Sequence, residues 1–289
     1  VLLPRAAQTI ARAGALGCAI VVLTLAACAT PAERIRSRAA ELGYTPIRLA
    51  GAGFTHAAFF AGDPRGSSTL HVYIEHDGTP WRDTTQVAND PTPRAPVALE
   101  LMARDTGPRL YLGRPCYFEP EDAPRCTPMM WTHRRYSPEV VDSMVAALRR
   151  FLASQPYERV VLIGYSGGGT LAWLIAGKLT ETVEVVTIIA NLDTDAWTTL
   201  HGFSPLAGSL NPALQPDLPP SIRQLHYAGC RDENVPPSVL KSFARHHPQA
   251  RITMIPDFDH RCCWIDRWPE LLEAGARSTN TDNEASTCD

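Results

Sequence analysis

The stretch VVLIGYSGGGTLAW at residues 160–173 constrains the fold more than any other part of this chain. An uncharged apolar run stops at Gly164-Tyr165-Ser166-Gly167-Gly168-Gly169, and a second apolar run begins at once. Three consecutive glycines start a helix badly, because each costs roughly 1 kcal/mol relative to alanine. They make sense where the backbone turns sharply and packs closely, holding one serine between a buried strand and a helix. A phosphate-binding loop is the competing use of such glycines. Its G-x-G-x-x-G spacing fails here, since Ser166 stands where a glycine is required, and no Walker lysine follows.

The segments around this turn alternate in period. Apolar runs at 54–61, 69–75, 109–113, 158–163, 183–190, 222–229 and 250–255 predict strands, several of them buried on both faces. Helices are predicted at 32–42, 96–104, 138–152, 168–179, 236–246 and 266–276. Ser137 serves as N-cap and Pro138 as the first residue of the third helix. This alternation implies an α/β fold, a mostly parallel central sheet with helices on both faces, with antiparallel members at its early edge. At 289 residues, 45% apolar and without internal repeats, the chain suits one large domain, placed at 47–277. Residues 191–221 hold Pro205, Pro212, Pro216, Pro219 and Pro220 and little periodicity, which predicts an irregular, lid-like insertion. The polar stretch 278–289 reads as a flexible tail.

The N-terminus reads as an export signal. Arg5 and Arg12 precede an uncharged run, Ala13 to Ala26, too short to span a bilayer comfortably. Leu25-Ala26-Ala27-Cys28 resembles the lipobox of bacterial lipoproteins. That resemblance implies removal of 1–27, lipidation of Cys28, a tether over 28–46, and a periplasm-facing anchor in the bacterial cell envelope. Ala29 after the cysteine favours the outer membrane. Without 1–27 the chain keeps 25 basic and 30 acidic residues and no run of Lys or Arg, so nothing marks a nucleic-acid partner. Six cysteines remain in an oxidising setting: Cys116, Cys126, Cys230, Cys262, Cys263 and Cys288. Cys116 and Cys126 flank a short loop and form the first candidate pair. The absence of C-x-x-C argues against zinc, and no metal or cofactor is expected.

A serine needs a base to become a nucleophile, and the base needs an orienting acid. Asp232 in AGCRDENVP (228–236) is the candidate acid, ahead of Asp193, Asp195 and Glu233. His260 in DFDH is the candidate base; His201, His226, His246 and His247 lack a comparable setting. With G-x-S-x-G at 164–168 and this acid and histidine in order, the chain resembles serine α/β-hydrolases over roughly residues 50–276. More closely it resembles uncharacterised α/β-hydrolase lipoproteins of proteobacteria, through YIEHDGTPW, LGRPCYF, CTPMMWTHRRYSPEVV, GYSGGG, NLDTDAW, HGFSPLAGSLNP and DHRCCW.

The resemblance implies an α/β-hydrolase fold and cleavage of a small-molecule ester or thioester, of carboxylesterase type, through an acyl-enzyme on Ser166. One oxyanion donor would be the amide of Gly167. The other would come from His76-Asp77-Gly78-Thr79-Pro80, which is similar to a His-Gly-x-Pro loop with an extra Asp, so that Gly78 or Thr79 donates. Trp197 and Phe203 are candidates to line the pocket. A bridge from Cys230 to Cys262 or Cys263 would staple the acid and base loops together. The alternatives are a lipid-anchored binding or assembly protein without activity, and a peptidase for small peptides.

Overall fold

A computed structural model describes residues 29–63, 66–118, 123–277 and Cys288. Cys28, residues 1–27 and, apart from Cys288, the 278–289 tail lie outside the described residues. The chain begins with helix α1 (Pro31–Glu41) and continues through β1 (Thr45–Ala50), β2 (Thr55–Ala61), β3 (Thr69–Ile74), α2 (Val97–Ala103), β4 (Arg109–Leu112) and α3 (Pro138–Ala153). Then come β5 (Arg159–Tyr165), α4 (Gly167–Ala176), β6 (Thr182–Ile188), α5 (Thr194–His201), β7 (Arg223–Gly229), α6 (Pro237–His246), β8 (Arg251–Ile255) and α7 (Trp264–Arg277).

The strands form one sheet in the order β1-β2-β4-β3-β5-β6-β7-β8. From β4 to β8 all neighbours run parallel; β1 pairs with β2, and β2 with β4, antiparallel. Apolar central strands require cover on both faces, and the helices supply it. α3 packs on α4 and β1, and α2 packs on α7. Ser137 caps α3 by accepting the Val140 amide, and Val140, Val141, Met144, Leu148 and Phe151 face the core. Trp173, Trp264, Trp268, Tyr73 and Tyr111 are among the largest fully enclosed side chains. The chain leaves β3 toward β4 on one side and later resumes with β5 on the other. This reversal of strand order places the ends of β3 and β5 beside each other at the carboxyl edge of the sheet, where such sheets open a crevice.

The helix expected at 32–42 is present as α1, which starts with a reciprocal cap between Thr30 and Glu33 and buries Ala32, Ile35 and Ala39, one face of a helix. Two expectations change. Edge strand β1 was not expected, because its mostly exposed TPIRLA carries only weak alternation. The 191–221 insertion is not wholly irregular, since it holds α5, capped by Asp193 and closed by Gly202 at φ +63°. Among the described residues no helix is long and apolar enough to cross a membrane.

Candidate active site

β5 runs straight into α4 through Ser166, which sits at φ +51° and ψ −126°. Such a conformation costs a non-glycine residue roughly 1–3 kcal/mol and persists only where packing imposes it. The packing here is extreme. A Cβ on Gly168 would lie 2.1 Å from the Ile74 carbonyl oxygen at the end of β3, and one on Gly167 would lie 2.1 Å from Asp77 Oδ1. The glycines that make a poor helix start therefore let α4 close onto β3 and leave Ser166 at the crevice.

The carboxyl ends of β7 and β8 bring the other two predicted groups to it. Ser166 Oγ lies 3.2 Å from His260 Nε2, and His260 Nδ1 lies 2.8 Å from Asp232 Oδ2. Asp232 is buried, and its Oδ1 accepts the amides of Asn234 and Val235 at 2.8 Å each, which fixes the carboxylate. The base loop is anchored separately. The Tyr165 hydroxyl donates to the His260 carbonyl, Asp259 Oδ1 accepts the amides of Arg261 and Cys262, and Trp264 Nε1 donates to the Asp259 carbonyl.

The rival groups are occupied elsewhere. Asp193 caps α5 and accepts hydrogen bonds from Ser242 and Asn211; burial would raise its carboxyl pKa, but these bonds prevail and lower it. His226 is fully buried beside Thr187, and His201 contacts the Asn234 carbonyl. Asn234 is a site residue that sequence reasoning missed. Its Nδ2 lies 3.0 Å from His260 Nε2, so it shares the imidazole edge with Ser166. Its place two residues after the acid was the available signal.

The loop after β3 differs from expectation. The Gly78 amide donates to His76 Nδ1 (2.9 Å) and the Thr79 amide to the Pro91 carbonyl (2.9 Å), so neither is free to meet an oxyanion. In this loop Asp77 is the residue whose amide has no hydrogen-bond partner among the described residues, and the Gly167 amide is likewise unpartnered. The rest of Asp77 is pinned. Oδ1 lies 2.7 Å from Arg114 Nη1; Oδ2 accepts from Arg135 Nη1 (2.9 Å) and the Tyr136 hydroxyl (2.7 Å); its carbonyl accepts from the Tyr117 hydroxyl (2.9 Å). Burial opposes ionisation of Asp77, but the charges of Arg114 and Arg135 and the Tyr136 hydrogen bond outweigh it and hold the carboxyl well below the usual range. Burial pushes the Tyr117 hydroxyl up to about 12, so it stays a donor at neutral pH.

Three disulfides join Cys116–Cys126, Cys230–Cys288 and Cys262–Cys263. The first matches the candidate pair. The expected staple from Cys230 to Cys262 or Cys263 is absent. Cys230 packs with Cys288 against Val235, Val239 and Met254, whereas Cys263 packs against the main core. The two loops are therefore held by hydrogen bonds, with the Arg231 amide on the Phe258 carbonyl among them.

Ser166, Gly167, Asp77, Arg135, Asn191 and His260 face an open cavity of about 610 Å³. A second cavity of about 780 Å³ adjoins it, sharing Arg135 and Trp197. Trp197 thus lines both, while Phe203 lines only the second. No cluster of His, Cys, Asp or Glu among the described residues is placed to hold a metal ion.

No protein-family model and no curated protein matches the chain. Solved structures do. An esterase of Pyrococcus furiosus is 12% identical, with a TM-score of 0.56 over 82% of this chain and 91% of its own. An α/β serine hydrolase of Xanthomonas campestris, described as having no lid, is 14% identical, with a TM-score of 0.51 over 84% and 97%. An acylaminoacyl peptidase of Pyrococcus horikoshii is 14% identical, with a TM-score of 0.56; the match spans 84% of this chain and 43% of the peptidase. The chain has the α/β-hydrolase fold. In an α/β-hydrolase fold a strained strand-to-helix turn is the place for a nucleophile, and the chain order is nucleophile, acid, histidine. Ser166, Asp232 and His260 occupy that turn and that order.

Proposed function

We propose that this protein is a serine hydrolase that cleaves carboxylic ester or thioester bonds. The observation that carries the reading is the hydrogen-bonded chain Ser166–His260–Asp232, with its serine on a strained turn at the mouth of an open cavity. Ser166 Oγ attacks the carbonyl carbon while His260 Nε2 takes the hydroxyl proton and Asp232 steadies the imidazolium. The tetrahedral oxyanion is received by the amides of Gly167 and Asp77. Collapse expels the alcohol or thiol, which takes the proton from His260. Water, deprotonated by the same imidazole, then adds to the acyl-enzyme and releases the acid and Ser166.

A carboxylate beside an oxyanion site would oppose the reaction if it stood alone. At Asp77 two guanidinium groups more than neutralise it, so the local field favours the developing negative charge. The export signal and Leu25-Ala26-Ala27-Cys28 support a further part of the proposal: lipidation at Cys28 and residence at the cell envelope, facing the periplasm. A fluorophosphonate probe tests the hydrolase reading. Wild-type protein is labelled and Ser166→Ala is not; equal labelling of both, or none of folded wild type, rejects it. Ester and amide p-nitroanalogues of matched acyl chains then separate esterase from peptidase. Metabolic labelling with an alkynyl fatty acid, lost in Cys28→Ser, tests the anchor.

A further inference from the structure

The buried cluster behind the candidate nucleophile does not balance in charge. Arg114 and Arg135 are 3% and 7% exposed, and Asp77 is the carboxylate they share. Glu75, also buried, meets Arg114 Nη2 through its backbone carbonyl, while its carboxylate accepts the His76 and Ala98 amides. Tyr136 and Tyr117 stay neutral because burial raises both hydroxyls. A buried guanidinium charge without its own counter-ion is strongly unfavourable. The excess has an outlet. Arg135 spends Nε on the Thr132 carbonyl (2.6 Å) and Nη1 on Asp77, while Nη2 has no partner among the described residues. Arg135 lines the cavity that Ser166 faces.

The rest of that wall has the same sign. Arg94 and Arg261 stand on it, exposed and without an ion pair among the described residues, although Asp259 lies close enough to temper Arg261. Asp77 is the one acid in the wall. The adjoining cavity differs, for its wall carries Asp83, whose Oδ1 accepts the amides of Thr85 and Gln86.

We infer that the substrate carries a carboxylate besides the scissile ester or thioester, and that Arg135 binds it through Nη2 in the cavity shared with Ser166. This rests on the hydrolase reading and names its substrate class. A planar guanidinium suits a carboxylate, and a charged acceptor roughly doubles the strength of each hydrogen bond. Arg94 and Arg261 at the rim draw the anion inward.

Two matched pairs test the inference and locate the charge. Mono-4-nitrophenyl glutarate against 4-nitrophenyl pentanoate places it on the acyl side; 4-acetoxybenzoate against 4-acetoxybenzamide places it on the leaving group. The anionic member of one pair is expected to have a kcat/KM higher by roughly tenfold or more. Arg135→Gln abolishes that preference, and Arg135→Lys retains part of it. Equal rates within both pairs, or preference for the neutral members, overturn the inference. So does an Arg135→Gln protein that slows both members equally, since the cluster then serves only the oxyanion.

Titration calorimetry with Ser166→Ala keeps the test independent of turnover and of how Arg135 variants fold. Monomethyl glutarate binds more tightly than dimethyl glutarate, or 4-acetoxybenzoate more tightly than 4-acetoxybenzamide, if the inference holds; equal binding within both pairs overturns it. Fluorophosphonate labelling without any anionic preference would reject the carboxylate and leave the hydrolase. Anion-selective binding without labelling would reject the hydrolase and leave the anion site.

Discussion

Replacing Asp77 by Asn removes one charge without changing shape. The Asp77 oxygens lie 2.7 Å and 2.9 Å from nitrogens of Arg114 and Arg135. With charge centres about 4 Å apart, each pair attracts by about 4 kcal/mol at an effective dielectric of about 20. Desolvation of the three ions consumes most of that gain. Removing the shared acid still leaves two buried cations unpaired, and such a break costs about 3–5 kcal/mol. In a chain of this size the melting temperature should fall by about 6–20 °C. The pH dependence isolates the cause. Because the folded carboxyl is held far below its unfolded value of about 3.9, its stabilisation is complete above that value. It drains away at about 1.4 kcal/mol per pH unit as the pH falls below it. Urea melts followed by tryptophan fluorescence at pH 7, 5 and 3.5 should show a large gap between wild type and Asp77→Asn at the first two and a smaller one at the third. A gap under about 1 kcal/mol at pH 7, or one that does not narrow on acidification, would refute the assignment of Asp77 as keystone of the cluster.

Further substitutions probe the other links. Asp232→Asn turns an amide toward His260 Nδ1 in place of an acceptor, and kcat should drop by about 10⁴-fold with the fold intact by circular dichroism. In Gly167→Ala the new methyl meets Asp77 Oδ1 at 2.1 Å and the Tyr136 hydroxyl at 2.5 Å. Both are pinned, so roughly 1–3 kcal/mol of stability is lost. Displacing the two unpartnered amides should lower kcat on 4-nitrophenyl esters by about 10²–10³-fold. Burial, helped by His247, pushes His226 down to about 3. The unfolded chain therefore binds a proton that the folded one refuses between about pH 6.5 and 3, and stability falls as pH drops through that window. Against His226→Phe, wild type should lose ground progressively below about pH 6.5 in thermal melts, and a constant difference would show that His226 titrates normally.

The sequence was legible where local patterning and tertiary demand agree. GYSGGG sits between apolar runs that are buried on both sides, so the strand, turn and helix follow from short-range rules. Asp232 and His260 were readable because each follows a strand late in the chain, β7 buried and β8 half-buried. What stayed hidden depended on contacts between distant residues. Arg114, Arg135 and Tyr136 meet Asp77 across 37 to 59 positions, and the three segments that hold these residues carry no local signal that they meet. α5 carries ordinary signals, an Asp cap and a closing Gly, but the prolines after it masked them. The Cys230–Cys288 pairing joins residues 58 positions apart, which spacing cannot reveal.

Asn234 determines how the insertion relates to the chemistry. Its amide donates to Asp232, its side chain to His260, and its carbonyl accepts from both Trp197 Nε1 and His201 Nε2 on α5, each at 2.8 Å. Swinging α5 away would break two hydrogen bonds, each worth about 1 kcal/mol net, and disturb the residue that contacts acid and base together. An independently moving lid is poorly served by that arrangement. The cavity at Ser166 is already open, with Trp197 forming a wall between it and the adjoining one. Substrate can reach the serine without α5 moving, so α5 acts as a fixed wall. Its contacts through Asn234 then explain why residues far from Ser166 in sequence set the position of the imidazole: selectivity and acid–base geometry share one support. Asn234→Ala should therefore lower kcat on small neutral esters and also alter discrimination between bulky and small acyl groups. Loss of rate with unchanged acyl-chain selectivity would show that α5 and the triad are uncoupled.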